Sequence, residues 1–125
     1  METQNDSSTI SDVLNNFYFK GIYEGDINIL KQAFDSRTLL FGDIKGEPYF
    51  KNLEQYLNGV ANRESPKAAG KRFISEIISI DVINTIAVAK TNVKIYDFNY
   101  WNFITFHKIE GQWLIINKTL SHVEE

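Results

Sequence analysis

Residues 72–121 read RFISEIISIDVINTIAVAKTNVKIYDFNYWNFITFHKIEGQWLIINKTLS, and this stretch decides the fold. Ile, Val, Phe and Thr dominate it, the residue types that fit a pleated, half-buried surface. Short breaks interrupt it at Asn84-Thr85, Asp97-Phe98-Asn99 and Glu110-Gly111. Each break has hairpin length, so the stretch predicts four successive antiparallel strands over 72–83, 85–97, 100–109 and 112–121.

Upstream the period changes. Ile10, Val13, Leu14, Phe17, Tyr18, Gly21 and Ile22 recur at steps of three and four, the stripe of an amphipathic helix. Thr9 with Asp12 reads as a capping box at its start, and Gly25 as a left-handed stop. Asp26 suits the cap of a second, shorter helix carrying Ile27, Leu30 and Phe34. Thr38–Ile44 reads as a strand, Lys45-Gly46 as a turn, and Glu47–Phe50 as a short edge strand, where Pro48 is tolerated. A third helix starts near Asn52, with Gln55 completing a cap pair and Leu53, Tyr56, Leu57 and Val60 on its apolar side. Residues 61–70, with Pro66, read as a loop. Residues 1–8 read as a flexible polar tail and 9–125 as one domain. Helices come first and strands last. The fold class is therefore α+β: a curved antiparallel sheet wrapped around three N-terminal helices, rather than βαβ units.

Composition narrows the function classes. The 125 residues hold nine Phe, six Tyr and two Trp, enough for a large core or an aromatic-walled pocket. Cysteine is absent, which excludes disulfide scaffolds, thiolate metal sites and cysteine nucleophiles. The formal charge of -3 offers no global basic field for nucleic acid. Phosphate-loop and dinucleotide glycine patterns do not occur, and two isolated histidines make no zinc spacing. No cofactor or metal is expected. Arg63, Lys67, Lys71 and Arg72 form one basic cluster, either a solvated loop or a greeting for an anion at a pocket mouth. The start METQNDSST lacks a signal-like basic and apolar pattern, and no apolar stretch is long enough to span a bilayer. These features predict a cytoplasmic chain with no membrane partner.

Strand faces give the most informative pattern. Ala89, Thr91, Val93 and Ile95 oppose Lys90, Asn92 and Lys94, an ordinary half-buried strand. In the next strand Trp101, Phe103, Thr105 and His107 alternate with Tyr100, Asn102, Ile104 and Phe106. In the last, Trp113, Ile115, Asn117 and Thr119 alternate with Leu114, Ile116, Lys118 and Leu120. Both faces carry large apolar groups, while helices can cover only one. A second copy of the chain covers the other in a homodimer through the sheet, unless the sheet bends sharply over itself.

The ordered pieces Tyr18-x2-Gly21-x3-Gly25-Asp26, Leu53-x2-Tyr56, Ser65-Pro66, Ile78–Val82, Ala87–Lys90, Lys108–Trp113 and Ile115–Lys118 span most of the chain. In them the chain resembles the nuclear transport factor 2-like superfamily, also called SnoaL-like or cystatin-like cone folds. Within it the sequence is similar to the group described as "Putative lumazine-binding". The resemblance implies a curved sheet around helices, a cone open at one end, and dimers through the sheet. Some members are ketosteroid isomerases, polyketide cyclases or a dehydratase; others bind or adapt. Carried over residue by residue, the isomerase oxyanion donor falls on Tyr18. The isomerase base falls on Gly42, with Asp43 one residue away and thus on the opposite face. His107 is the one strand histidine available to a dehydratase-like site, and His122 near the end is expected in solvent. Asn102 stands where similar sequences carry Asp.

The expected function is small-molecule binding in an aromatic-walled pocket. Its walls are Tyr18, Ile22, Phe41, Tyr56, Trp101, Phe103 and Trp113, with Asn117 and Asn102 as polar anchors. Trp101 and Asn102 alternate, so only one faces inward in a regular strand. Such walls suit a flat apolar or heteroaromatic ligand. The alternatives are an isomerase-, dehydratase- or cyclase-like enzyme working by acid–base chemistry in the same pocket, and a protein-interaction module with a filled cavity.

Overall fold

The computed structural model describes residues 2–125, with side chains from Asp6 onward; Met1 lies outside the described residues. The first helical stretch is continuous in three parts: α1 (Glu2–Val13), a π-helical segment (Leu14–Phe19) and α2 (Lys20–Glu24). Its buried residues Ile10, Leu14, Tyr18 and Ile22 recur every fourth position. Four-residue steps overshoot the 3.6-residue α turn, and the wider π turns take up the overshoot, keeping the row in line. Residues 2–8, expected as a flexible tail, belong to α1 instead. Asp6 explains why: it accepts hydrogen bonds from Lys108 Nζ at 3.1 Å and Trp113 Nε1 at 3.0 Å, which tie the first turns to the sheet. Thr9 consequently lies inside the helix and does not cap it.

The later punctuation follows local chemistry. Gly25 takes the left-handed conformation with φ 68°, and the Asp26 carboxylate accepts from the backbone N–H groups of Asn28 and Ile29, opening α3 (Ile27–Leu30). A 3-10 turn (Lys31–Ala33) leads into β1 (Phe34–Ile44) and β2 (Glu47–Asn52). Asn52 and Gln55 form a reciprocal capping box on α4 (Leu53–Ala61). A short α5 (Pro66–Ala69) precedes β3 (Phe73–Ile83), β4 (Ile86–Ile95), β5 (Phe98–Ile109) and β6 (Gln112–His122). Among the described residues no helix is long and apolar enough to cross a membrane.

The six strands form one sheet in the order β2-β1-β6-β5-β4-β3. All pairs are antiparallel except β1 with β6, which run parallel. Helices cover the inner face, where Leu40, Ala89, Ile104, Phe106 and Ile115 pack against the helical row. The outer face leaves Phe41, Phe50, Val88, Trp101 and Phe103 exposed, with Phe103 at 55% and Trp101 at 39%.

Two bulges set the side-chain parity. Ile77 pairs with Thr91 but Ser79 with Lys90, so Ile78 is an extra residue in β3. Phe106 pairs with Ile115 but Thr105 with Asn117, so Ile116 is an extra residue in β6. Beyond Ile116, the inward positions of β6 become Lys118 and Leu120.

The seam between β1 and β6 closes against Gly42, whose φ is 152°. A Cβ there would lie 1.8 Å from the Leu120 carbonyl oxygen. Gly42→Ala is expected to lower stability by about 3 kcal/mol or more, because backbone must move on both strands. Gly59 sits in α4 with open space around it. Gly59→Ala is expected to raise stability by about 0.5–1 kcal/mol through helix propensity alone. Urea midpoints of the two variants, read against the parent, check both signs.

Candidate functional site

Where the first helix leaves the open end of the sheet, the inner face holds a cavity of about 120 Å³. Tyr18 and Ile22 come from the helical row, Tyr56 from α4, and Arg63 from the loop after it. The sheet supplies Ile44, Tyr49, Val93, Ile95, Tyr100, Asn102, Lys118 and Leu120. Register places them together: Gly42 opposes Tyr49 and Leu120, and Asn102 opposes Leu120 and Thr91.

Lys118 is the unusual member. It is only 8% exposed, and among the described residues its ammonium has no carboxylate partner and no hydrogen bond. Its ammonium lies 5.0 Å from the ring centroids of both Tyr18 and Tyr56, which offer only the faces of their rings as compensation. Burial, reinforced by the positive Arg63 nearby, lowers its pKa to about 7. Burial also raises the pKa of the phenols of Tyr18, Tyr49, Tyr56 and Tyr100, so all four stay protonated near neutrality. Tyr18 and Tyr56 are bridged by Phe34, edge-on to each at centroid distances of 6.0 and 5.8 Å.

Two polar atoms in the walls stand out. The Tyr18 hydroxyl is fully buried with only the Tyr56 phenol beside it, and Asn102 Oδ1 is buried without a hydrogen bond. Asn102 Nδ2 donates to Thr91 Oγ1 at 3.0 Å, which fixes the amide with its oxygen spare. Buried polar atoms are normally satisfied, so orphans lining a cavity mark places for a ligand or water to bond. At the mouth, Arg63 stacks 5.6 Å from the Tyr96 ring centroid. Tyr96 holds the same loop through its hydroxyl, which donates to the Glu64 carbonyl at 2.5 Å. The cavity thus has two cationic side chains and no carboxylate. Among the described residues no three His, Asp or Glu side chains gather as a metal site needs.

The structure brings Tyr18, Ile22 and Tyr56 of the expected set to the cavity, together with Asn102. It places the others elsewhere. Phe41 projects from the outer face and stacks on Phe50 at 4.8 Å, because Leu40 and Gly42 take the inward positions. Trp101 and Phe103 are outside, since Asn102 and Ile104 are inside. Trp113 is buried on the inner face but at the other end of β6, near Val13, Phe17 and Phe34, where it bonds Asp6. Asn117 is turned outward by the Ile116 bulge and donates to the Leu39 carbonyl at 3.1 Å. Asp43 also faces outward, accepting from Ser121 Oγ at 2.7 Å, and His107 shares the outward parity of Phe103. His122 is not solvated: its side chain is 4% exposed, with Nδ1 accepting from the Asn99 N–H. Of the basic cluster only Arg63 reaches the cavity; Arg72 pairs with Glu125, and Lys67 lies 4.0 Å from Glu24. Sequence parity missed Lys118, because a bulge reverses alternation without leaving a Gly or Pro to mark it.

A six-stranded sheet folded over helices with a polar-lined cavity at its open end defines a nuclear transport factor 2-like cone, the cystatin-like fold. Solved structures agree. A nuclear transport factor 2-like protein of unknown function from Shewanella baltica OS155 superposes with a TM-score of 0.84 at 23% identity, over 97% of this chain and 96% of that one. One from Silicibacter pomeroyi DSS-3 gives 0.87 at 19% identity, over 98% and 100%. A cystatin-like protein of unknown function from Nostoc punctiforme PCC 73102 gives 0.71 at 17%, over 95% and 92%. A family model matches residues 5–121, and the chain belongs to that family, described as "Putative lumazine-binding". No curated protein matches it.

The buried lysine sets a pH dependence with a definite sign. Its folded pKa of about 7 lies below the ordinary unfolded value of about 10.4. Above the unfolded value the amine is neutral in both states and costs nothing. As pH falls, the unfolded chain takes up a proton that the folded chain resists, so stability declines until about pH 7. Lys118→Met removes this dependence on pH. Relative to this variant, the parent is expected to lose roughly 3–4 kcal/mol between pH 10 and pH 7. Denaturant unfolding of both proteins at several pH values measures the gap; a gap that does not change with pH would mean that Lys118 is charged and solvated.

Proposed function

We propose that the chain binds a small, flat, acidic heteroaromatic molecule of the lumazine type in this cavity, as a cytoplasmic homodimer joined through the outer face of the sheet. The unpartnered Lys118 ammonium in a ring-walled cavity without a carboxylate carries the reading. A lumazine-like ring offers a π face to Tyr18 and Tyr56, carbonyl oxygens to Lys118 and Arg63, and a ring N–H to the spare Asn102 oxygen. The bonds to Lys118 and Asn102 satisfy groups that are otherwise buried and unmatched. A cavity of about 150 Å³ holds one benzene ring. The present 120 Å³ is smaller than that, so one ring at most enters, and the rest of a bicyclic ligand lies at the mouth beside Arg63.

The geometry favours binding over the acid–base enzyme of the isomerase kind. Tyr18 is inside, but Asp43 points to the other face, so the pocket has no carboxylate base. The open cavity also argues against a module filled by its own side chains. A homodimer is supported by the outer face, where Phe41, Phe50, Val88, Trp101 and Phe103 lie exposed on strands that no helix covers. Two such faces are self-complementary about a two-fold axis.

Titration with lumazine followed by calorimetry tests the first part. Saturable binding near one equivalent per chain is expected, weakened about tenfold or more by Lys118→Met, a loss of about 1.4 kcal/mol. No heat and no competition at any concentration up to solubility would defeat it. Sedimentation velocity tests the second part: the parent is expected as a dimer, and Phe103→Asp as a monomer that still binds.

A further inference from the structure

The amine of Lys118 is more than a counter-charge. It faces a cavity, it has no bonded partner among the described residues, and two tyrosine rings hold it at 5.0 Å. The phenol of Tyr18, fully buried with only the Tyr56 phenol beside it, lines the same space. Ile22, Val93, Ile95 and Leu120 keep the surroundings apolar. Arg63 stands at the mouth, held against Tyr96. This is the set that an amine needs to attack a carbonyl: a desolvated nucleophile, a proton source and an anchor for a charged tail. We propose that Lys118 forms a Schiff base with a small 2-oxo acid, whose carboxylate pairs with Arg63 and whose keto carbon reaches the amine.

The step balances without an added oxidant or reductant. The nitrogen lone pair attacks the keto carbon, a C–N bond forms, and the carbonyl π pair moves to oxygen. That oxygen takes the Tyr18 proton, and the proton released by nitrogen restores the phenol. The carbinolamine then breaks its C–O bond; hydroxide takes the phenol proton and leaves as water. The iminium N–H returns a proton to the phenolate, leaving a neutral imine. Amine and ketone become imine and water. Burial, which keeps a large share of the Lys118 amine neutral near pH 7, favours the attack. Of the ten lysines Lys118 alone is buried; the other nine are exposed or half-buried.

The proposal goes beyond ligand binding and does not depend on lumazine. Its test uses the full chain with pyruvate and sodium cyanoborohydride at pH 7, intact mass to count adducts, and peptide mapping to place them. One reduced pyruvate adduct per chain is expected, with Lys118 labelled about tenfold or more above any other lysine. Because mapping compares lysines within the parent protein, the result does not rest on a variant that folds. Lys118→Met should lose the adduct, and Arg63→Met should require several-fold more pyruvate for equal labelling. Labelling spread evenly over the lysines, or no adduct at all, overturns the proposal. A protein that binds lumazine yet yields no Lys118 adduct loses this inference alone; one that traps pyruvate and ignores lumazine loses the other.

Discussion

One extra residue, Ile116, governs what the cavity contains. In a regular β6, the side chains following Trp113 and Ile115 on the inner face would be Asn117 and Thr119. The bulge shifts the alternation by one, so Lys118 and Leu120 enter and Asn117 leaves. The parallel seam with β1 depends on the same shifted segment, because Gly42 meets the Leu120 backbone there at a distance no side chain allows. Cavity chemistry and sheet closure are therefore two results of one local irregularity.

The cost of that arrangement falls on electrostatics. A lysine withdrawn from water without a carboxylate is opposed by desolvation, and two ring faces recover only part of the loss. A chain selected for stability alone gains from a hydrocarbon at this position. Retaining the charge, a buried phenol and a spare amide oxygen in one small space leaves the fold locally unsatisfied, as sites prepared for an incoming molecule are.

Much of the scaffold is legible in the sequence. The Gly25 stop, the Asp26 cap, the Asn52–Gln55 box and the hairpin breaks at Asn84-Thr85 and Glu110-Gly111 are short-range signals, and each sits where its chemistry requires; the middle turn falls at Tyr96-Asp97, with Phe98 and Asn99 already in β5. Tyr18 and Ile22 were legible because a helical stripe has only one buried side. The strand residues were not. Alternation says that Trp101 and Asn102 face opposite ways, but composition suggested the tryptophan inside, and the reverse is true. The cavity prefers the amide because its inner neighbour Thr91 satisfies the nitrogen, while the large rings lie on a face that helices never reach. The first turns of α1 were also hidden, since their hold on the sheet runs through Asp6 to Lys108 and Trp113, about a hundred positions away.

The wall between the cavity and the outer surface is one strand thick. Asn102 borders the cavity, and on either side of it in sequence Trp101 and Phe103 border open water. Water on that outer side polarises in response to charges within, so it contributes to the effective dielectric that Lys118 experiences. Anything apolar laid across Trp101 and Phe103 removes that solvent and lowers the dielectric from behind. The ammonium then becomes harder to hold, and the equilibrium moves toward the free amine. Covering the outside of this sheet and releasing a proton from its inside are linked events, joined through the thickness of a single backbone.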